Sequence, residues 1–264
     1  MTATPTLAGS ETHEGGACSL TPAMTDLVVL CGGRGTRLGP LTAVTPKPLL
    51  PVGGHPFLLK LLLRMKHQGI GRVVLATHYL ADQFHAFATA YRNMLPALTV
   101  VVEPEPLGTG GALRHVVERV QSSTFVAVNG DTWVTQPLEA VLREHAQTAR
   151  EATAVVVKTS QVEGEAAHKG VWRVGPGQRV EGLTTPARAV DGWVNAGLYV
   201  FSRALICSWP RGRYNVEEHV SSLLSGRRAG VFYSAGCLLD IGTPQCYALA
   251  NRTWERFDPV GRPG

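Results

Sequence analysis

Residues 26–38 read DLVVLCGGRGTRL, and PKP follows at 46–48. LVVL is a short, β-branched apolar run that ends in a glycine cluster, the pattern of a buried strand feeding a loop. Glycines at 32, 33 and 35 let the backbone take positive φ and approach an anion without a Cβ in the way. Consecutive N–H groups in such a turn make an anion-binding nest at a strand end. Arg37 and Lys47 add two cations, and the flanking prolines Pro46 and Pro48 restrict where Lys47 can point.

Two familiar phosphate loops are excluded by inspection. No Lys-Ser or Lys-Thr pair follows the glycines, so this is not a Walker loop. The dinucleotide fingerprint would need glycine at position 38, which is Leu38.

Outward from this loop the chain alternates. PFLLKLLLRMKHQG from Pro56 has helical leucine spacing and stops at Gly69. RVVLATH from Arg72 reads as a strand and precedes a helix through Asp82 and Phe84. LTVVVEP from Leu98 precedes a helix opened near Thr109. FVAVNGD from Phe125 precedes a helix across Leu138 to Glu144, and TAVVVKT follows from Thr153. Continuous apolar runs between amphipathic helices predict a mostly parallel sheet covered on both faces. After about residue 168 the candidates KGVWRV, RVEGL and GWVNAGLYVF are separated by Gly and Pro turns, which predicts a smaller, antiparallel-rich lobe.

The chain has 264 residues, 44% hydrophobic and 17% charged, enough for one substantial core. Its net charge of +5 suits an anionic partner. The basic residues are dispersed with no nucleic-acid arm, so a small anion is expected and no nucleic acid. Five scattered cysteines without a C-x-x-C pair support neither a disulfide framework nor a zinc knuckle, as in a reduced, cytoplasmic protein. Residues 1–24 read as a flexible extension without signal-peptide character, 25–256 as a single domain and 257–264 as a tail. No apolar run reaches membrane-spanning length, so no membrane partner is expected. Histidines lack metal-ligand spacing, and no Ser/His/Asp or Cys/His arrangement stands out.

LCGGRGTRLGPLTAVTPKPLLPVGGHPFL resembles the G-G-x-G-T-R-L…P-K-P signature of the sugar-1-phosphate nucleotidyltransferases, with Cys31 where that family usually has alanine. EPEPLGTGGAL from Glu103 resembles its base-recognition segment, VNGD ending at Asp131 its metal strand, and LDIGTP from Leu239 its second metal position. The match spans about residues 26–250. It is nearest to the heptose 1-phosphate guanylyltransferases, with the N-acetylmuramate 1-phosphate uridylyltransferases next.

The resemblance implies an α/β fold, a Rossmann-like three-layer sandwich with a mixed, mostly parallel central sheet and a small antiparallel-rich sugar-binding lobe. It implies Mg²⁺ held by Asp131 and Asp240, and a nucleotide held by Leu30, Cys31, Gly32, Gly33, Gly35, Thr36, Arg37, Glu103, Gly108 and Thr109. Gly170 and Asn195 would contact the sugar phosphate. The reaction has an anionic nucleophile and needs no general base, so Arg37 and Lys47 are the expected catalytic residues, acting by charge and position. A carboxylate at Glu103 only accepts hydrogen bonds, which favours the N1–H and N2–H₂ edge of guanine and hence GTP, with heptose 1-phosphate as acceptor.

The chain departs from the family where many members carry E-K-P. The stretch from Val180 to Arg188 has no such pair, which leaves Arg188 or Lys169 as replacement cations and keeps other hexose or cyclitol phosphates, with UTP or dTTP, open. A catalytically silent, nucleotide-sugar-binding regulator is the competing class. Such proteins typically lose a loop cation or metal carboxylate, and Arg37, Lys47, Asp131 and Asp240 are all present. Cytidylyl transfer to phosphocholine would call for an aromatic or acidic cage that nothing here clearly supplies.

Overall fold

A computed structural model describes residues 20–148, 150–164, 171–175, 179–184, 192–217, 219–220 and 228–257. In chain order its elements are β1 (Asp26–Leu30), β2 (Pro51–Val52), β3 (His55–Pro56), α1 (Phe57–His67), β4 (Arg72–Thr77), α2 (Ala81–Ala90) and β5 (Ala97–Val102). Then come α3 (Gly108–Val116), β6 (Thr124–Asn129), β7 (Thr132–Val134), α4 (Leu138–Thr148), β8 (Ala152–Lys158), β9 (Val162–Glu163), β10 (Val171–Gly175) and β11 (Arg179–Thr184). The chain closes with β12 (Trp193–Ser202), α5 (Arg203–Ser208), β13 (Ala229–Ser234), β14 (Leu238–Asp240) and α6 (Pro244–Phe257).

The central sheet runs β13-β8-β12-β6-β1-β4-β5, and every pairing is parallel except those of β12 with β6 and β8. Successive strand residues point to opposite faces, and both faces are covered. Leu27 and Val29 join one core and Val28 the other; Val126 and Val128 oppose Phe125 and Ala127 in the same way. This double burial is why the strands read as continuous apolar runs. α1, α4 and α6 cover the first face through Leu58, Leu142 and Trp254. α3 and α5 cover the second through Leu113 and Ile206. α1 ends as its sequence predicts, at Gly69 with φ 98°.

The antiparallel pairing expected after residue 168 is present but differently placed. GWVNAGLYVF supplies β12, which lies inside the central sheet. β10 and β11 form a hairpin that extends from the start of β12, and β14 pairs with β7 and β9 in a separate three-stranded sheet. The fold also begins earlier than residue 25: Leu20 packs against the core and Pro22–Met24 form a 3₁₀ turn. Among the described residues no helix is long and apolar enough to cross a membrane.

β1 is anchored at its amino end. Asp26 is 2% exposed; its Oδ1 accepts from Arg72 Nε at 2.6 Å, and its Oδ2 accepts from the backbone N–H groups of Gln121 and Ser122 at 2.6 and 3.2 Å. This fixes the strand that delivers the glycine loop at its other end.

Candidate active site

The carboxyl ends of β5, β1 and β6 open on one cleft of about 480 Å³. In open α/β sheets this is where ligands bind. Leu30, Cys31, Gly32 and Gly33 line one side with Lys47, and Asn129 and Asp131 line the end of β6. The far wall is Glu103, Leu107, Gly108 and Thr109, backed by the segment Arg213–Asn215.

The glycine loop is shaped by close approaches. A Cβ on Gly32 would lie 2.5 Å from Glu103 Oε1, so glycine here makes room for the carboxylate. Gly35 sits at φ 65°, and a Cβ there would crowd Thr42 and the Lys47 stem. Thr36 and Arg37 open the following 3₁₀ turn. Tyr79 clamps that turn by donating its hydroxyl to the Thr42 and Ala43 carbonyls. Gly130 brings the β6 turn against the loop: its N–H donates to Leu30 O at 2.9 Å, and a Cβ would strike Cys31 Sγ at 2.8 Å. Cys31 is buried, and burial, then the charges of Asp131 and Glu103, push its thiol well up. It stays a neutral, small side chain, which suits a position where alanine would also fit.

Lys47 and Asp131 form an ion pair at the cleft wall, with side chains 13% and 17% exposed. Burial alone would lower the Lys47 pKa. The neighbouring Asp131, with a smaller part from Asp240, outweighs both burial and the repulsion of Arg37, so the ammonium is held above its usual range. Asp240 reaches the same spot through β-pairing: it lies opposite Thr132, and Ile241 N donates to Asp131 O at 3.1 Å. Gly242 N donates to Asp240 Oδ1 at 2.6 Å, and a Cβ on Gly242 would lie 3.1 Å from Arg37 Nη2. Arg37, Lys47, Asp131 and Asp240, drawn from four separate segments, therefore meet in one place.

Among the described residues no group of three or more His, Cys, Asp or Glu side chains could hold a metal. An ion here would take two carboxylates and complete its shell with phosphate oxygens and water, the donor set that suits Mg²⁺. Thr132 Oγ1 donates to Asp131 Oδ1 at 3.1 Å, so both oxygens of that carboxylate are held in place before any ion arrives.

Glu103 follows β5, is 4% exposed, and accepts Leu107 N–H on Oε2 at 3.1 Å. Burial raises its pKa more than that hydrogen bond and His78 lower it. His78 is a loop residue whose Nδ1 meets the Glu103 carbonyl at 3.0 Å.

Gly108 and Thr109 line the cleft but also do structural service. Gly108 has φ 71°, and a Cβ would meet Tyr214 O at 2.5 Å. Gly110 N donates to that carbonyl at 3.0 Å, Tyr214 N donates to Leu107 O, and Val216 N donates to Thr109 Oγ1 at 2.9 Å. The GTGG run thus docks Arg213–Asn215 onto the first turn of α3. Sequence reasoning missed this wall, because RGRYN carries no spacing that ties it to residues a hundred positions earlier.

Asn195 lies in a bulge of β12 at the same end of the sheet; the bulge meets the end of β6 at Gly197, where a Cβ would be 2.5 Å from Asn129 Nδ2. Gly170, Lys169 and Arg188 lie outside the described residues. Trp133 and Trp172 are core residues, 1% exposed, and Trp133 packs edge-on to Trp254 at 4.8 Å.

The nucleotidyl transferase family model matches residues 27–256. The mannose-1-phosphate guanylyltransferase of Mycobacterium tuberculosis is 34% identical over 231 residues, covering 86% of this chain and 63% of that protein. The D-glycero-alpha-D-manno-heptose 1-phosphate guanylyltransferase of Aneurinibacillus thermoaerophilus is 25% identical over 240 residues, covering 88% and 99%. The crystal structure of HddC from Yersinia pseudotuberculosis complexed with GMP-PN superposes with a TM-score of 0.76 at 25% identity, covering 87% of this chain and 99% of that one. The chain thus spans less than two thirds of the mycobacterial relative but nearly the whole of the other two. With the glycine loop, the converging carboxylates and a match over nearly all of the described fold, this chain belongs to the nucleotidyl transferase family.

Proposed function

We propose that this protein is a guanylyltransferase that joins the GMP part of GTP to a manno-configured sugar 1-phosphate and releases pyrophosphate, with Mg²⁺ as cofactor. The observation that carries the reading is the meeting of Lys47, Arg37, Asp131 and Asp240 beside the glycine loop, with Lys47 and Asp131 on the wall of the cleft that Glu103 also lines. A phosphate oxygen of the sugar 1-phosphate attacks the α-phosphorus. The bond to the bridging oxygen breaks, and pyrophosphate leaves with the electron pair. The nucleophile is already an anion, so the barrier is charge repulsion and charge growth on the leaving group.

Loop amides and Arg37 would hold the triphosphate, and Lys47 would steady the attacked phosphate. Asp131 and Asp240 would hold Mg²⁺, which when bound neutralises phosphate charge and aligns the reacting groups. Glu103 Oε1, turned toward Gly32, would accept from the donor edge of guanine.

The acceptor follows from the relatives' names, which share the manno configuration in mannose and in D-glycero-D-manno-heptose. Five triphosphates (GTP, UTP, dTTP, CTP, ATP) against mannose, heptose, glucose and N-acetylmuramate 1-phosphates, read by product mass, tests all of this. GDP-mannose or GDP-heptose as the main product is expected. A strong UTP preference would overturn the guanine reading, and no pyrophosphate with any pair would favour a silent regulator.

A further inference from the structure

α3 begins on the cleft, but its first turn does not present itself as a phosphate cradle. Gly110 N and Gly111 N both donate to Tyr214 O, at 3.0 and 3.3 Å, so these two amides are closed to a ligand. Glycine recurs in this turn because another backbone comes close. A Cβ on Gly110 would lie 2.5 Å from the Tyr214 ring, and one on Gly111 would lie 2.1 Å from Gly212 O. Tyr214 N also donates to Leu107 O at 3.0 Å. Residues 212 and 214 are thus both seated on α3. Arg213, between them, is held at the cleft that it lines.

Arg213 is exposed and, among the described residues, takes part in no hydrogen bond, ion pair or ring contact. Arg211, two residues earlier, is tied to Glu118 at 2.6 Å, and neither of that pair lines the cleft. Lys47 is the other Lys or Arg among the described residues that line it, and it is paired with Asp131. Asp131 and Glu103 bring negative charge to the same walls. A phosphate entering between them is repelled unless a cation meets it. A guanidinium suits that task, because its planar fork of donors matches two phosphate oxygens at once.

In-line displacement decides which phosphate Arg213 would meet. The entering oxygen and the departing pyrophosphate lie on opposite sides of the α-phosphorus. With the pyrophosphate against the glycine loop and Arg37, the entering phosphate comes from across the cleft, the side of the 213–215 wall. We infer that Arg213 binds the 1-phosphate of the acceptor sugar, as the cation on that wall of the cleft. The inference rests on the guanylyl transfer proposed above.

The test is steady-state kinetics of the full chain in both directions, with GTP and the preferred sugar 1-phosphate, then with the GDP-sugar and pyrophosphate. Arg213→Met should raise the KM for the sugar phosphate about 10- to 100-fold, the loss of a charge-assisted hydrogen bond. The KM values for GTP and for pyrophosphate should each move less than about threefold, because both are held from the loop side. Arg213→Lys should recover part of the loss, since it keeps the charge but not the fork. Arg211→Met, at the pair outside the cleft, should leave all three KM values as in wild type. An unchanged KM for the sugar phosphate in Arg213→Met would overturn this inference alone. So would a larger rise in the KM for GTP or pyrophosphate, which would move Arg213 to the nucleotide. Absence of turnover by wild type with every acceptor would overturn the function on which it rests, and this inference with it.

Discussion

The two ends of the central sheet treat charge in opposite ways. At the amino end of β1, Asp26 is sealed in: Arg72 and two backbone amides bond both of its oxygens, and it is almost wholly buried. On α4, His145 is 5% exposed and bonds Thr153, at the start of β8, at 2.9 Å; burial, then Arg150, lower its pKa to about 4 and keep it neutral. At the carboxyl end, Lys47 and Asp131 pair on a cleft wall with Arg37 and Asp240 within electrostatic reach. The same chemical groups serve stability where their partners are fixed by backbone, and suit ligand binding where they face open space. An ion pair at a cleft can exchange its partner for a phosphate or a metal; one closed off by backbone amides cannot.

The sharpest way to break this contrast is to remove one charge from each end. Lys47→Met should lower kcat about 10³-fold with far-UV circular dichroism as in wild type, since its charge acts on the transferring phosphate. Asp26→Ala should do the reverse. Losing a buried carboxylate that satisfies two amides costs about 3 kcal/mol in urea unfolding, with kcat per folded molecule unchanged at permissive temperature. If Asp26→Ala abolished turnover in folded protein, the division of labour would fail.

His145 sharpens the same contrast through pH. Its folded pKa of about 4 lies below the ordinary histidine value of 6.5. The unfolded chain therefore binds a proton first as pH falls, so stability is complete above about pH 6.5 and lost toward pH 4, by up to about 3 kcal/mol. Melting temperature against pH checks this, and His145→Gln should flatten that window.

The smallest expected effect belongs to the cleft. Glu103→Gln should cut GTP preference about 10- to 100-fold. The folded pKa of Glu103 is raised, so its ionised form opposes folding above the usual carboxylate range. The variant should match or exceed wild-type stability near neutral pH, an advantage that fades as pH falls toward about 4.5 and is absent below it. A clear stability loss at pH 7 would mean that Glu103 is a structural residue.

Much of this was legible in the sequence, and the reasons are physical. Strands buried on both faces must be continuous apolar runs, so β1, β4, β6 and β8 were visible one by one, while β5, a half-buried edge strand, was visible through its β-branched run. The loop was visible because only glycine tolerates the approach of Glu103 to Gly32. β12 was readable as a strand but not as the antiparallel member of the main sheet, since pairing partners leave no local trace. Its bulge at Gly197, φ 64°, looks in sequence like a turn. Asp26 read as a strand boundary, because the amides it satisfies come from residues 121 and 122. The wall at 213–215 was hidden for the same reason: its contacts with α3 are backbone bonds, indifferent to residue type.

The central claim is that the open end gathers a triphosphate and a divalent ion around Asp131. The direct measurement is pyrophosphate release from GTP and the preferred sugar 1-phosphate at millimolar Mg²⁺, comparing wild type with Asp131→Asn. Near-complete loss of turnover in a variant that still unfolds cooperatively is the predicted result; near-normal turnover would contradict the account.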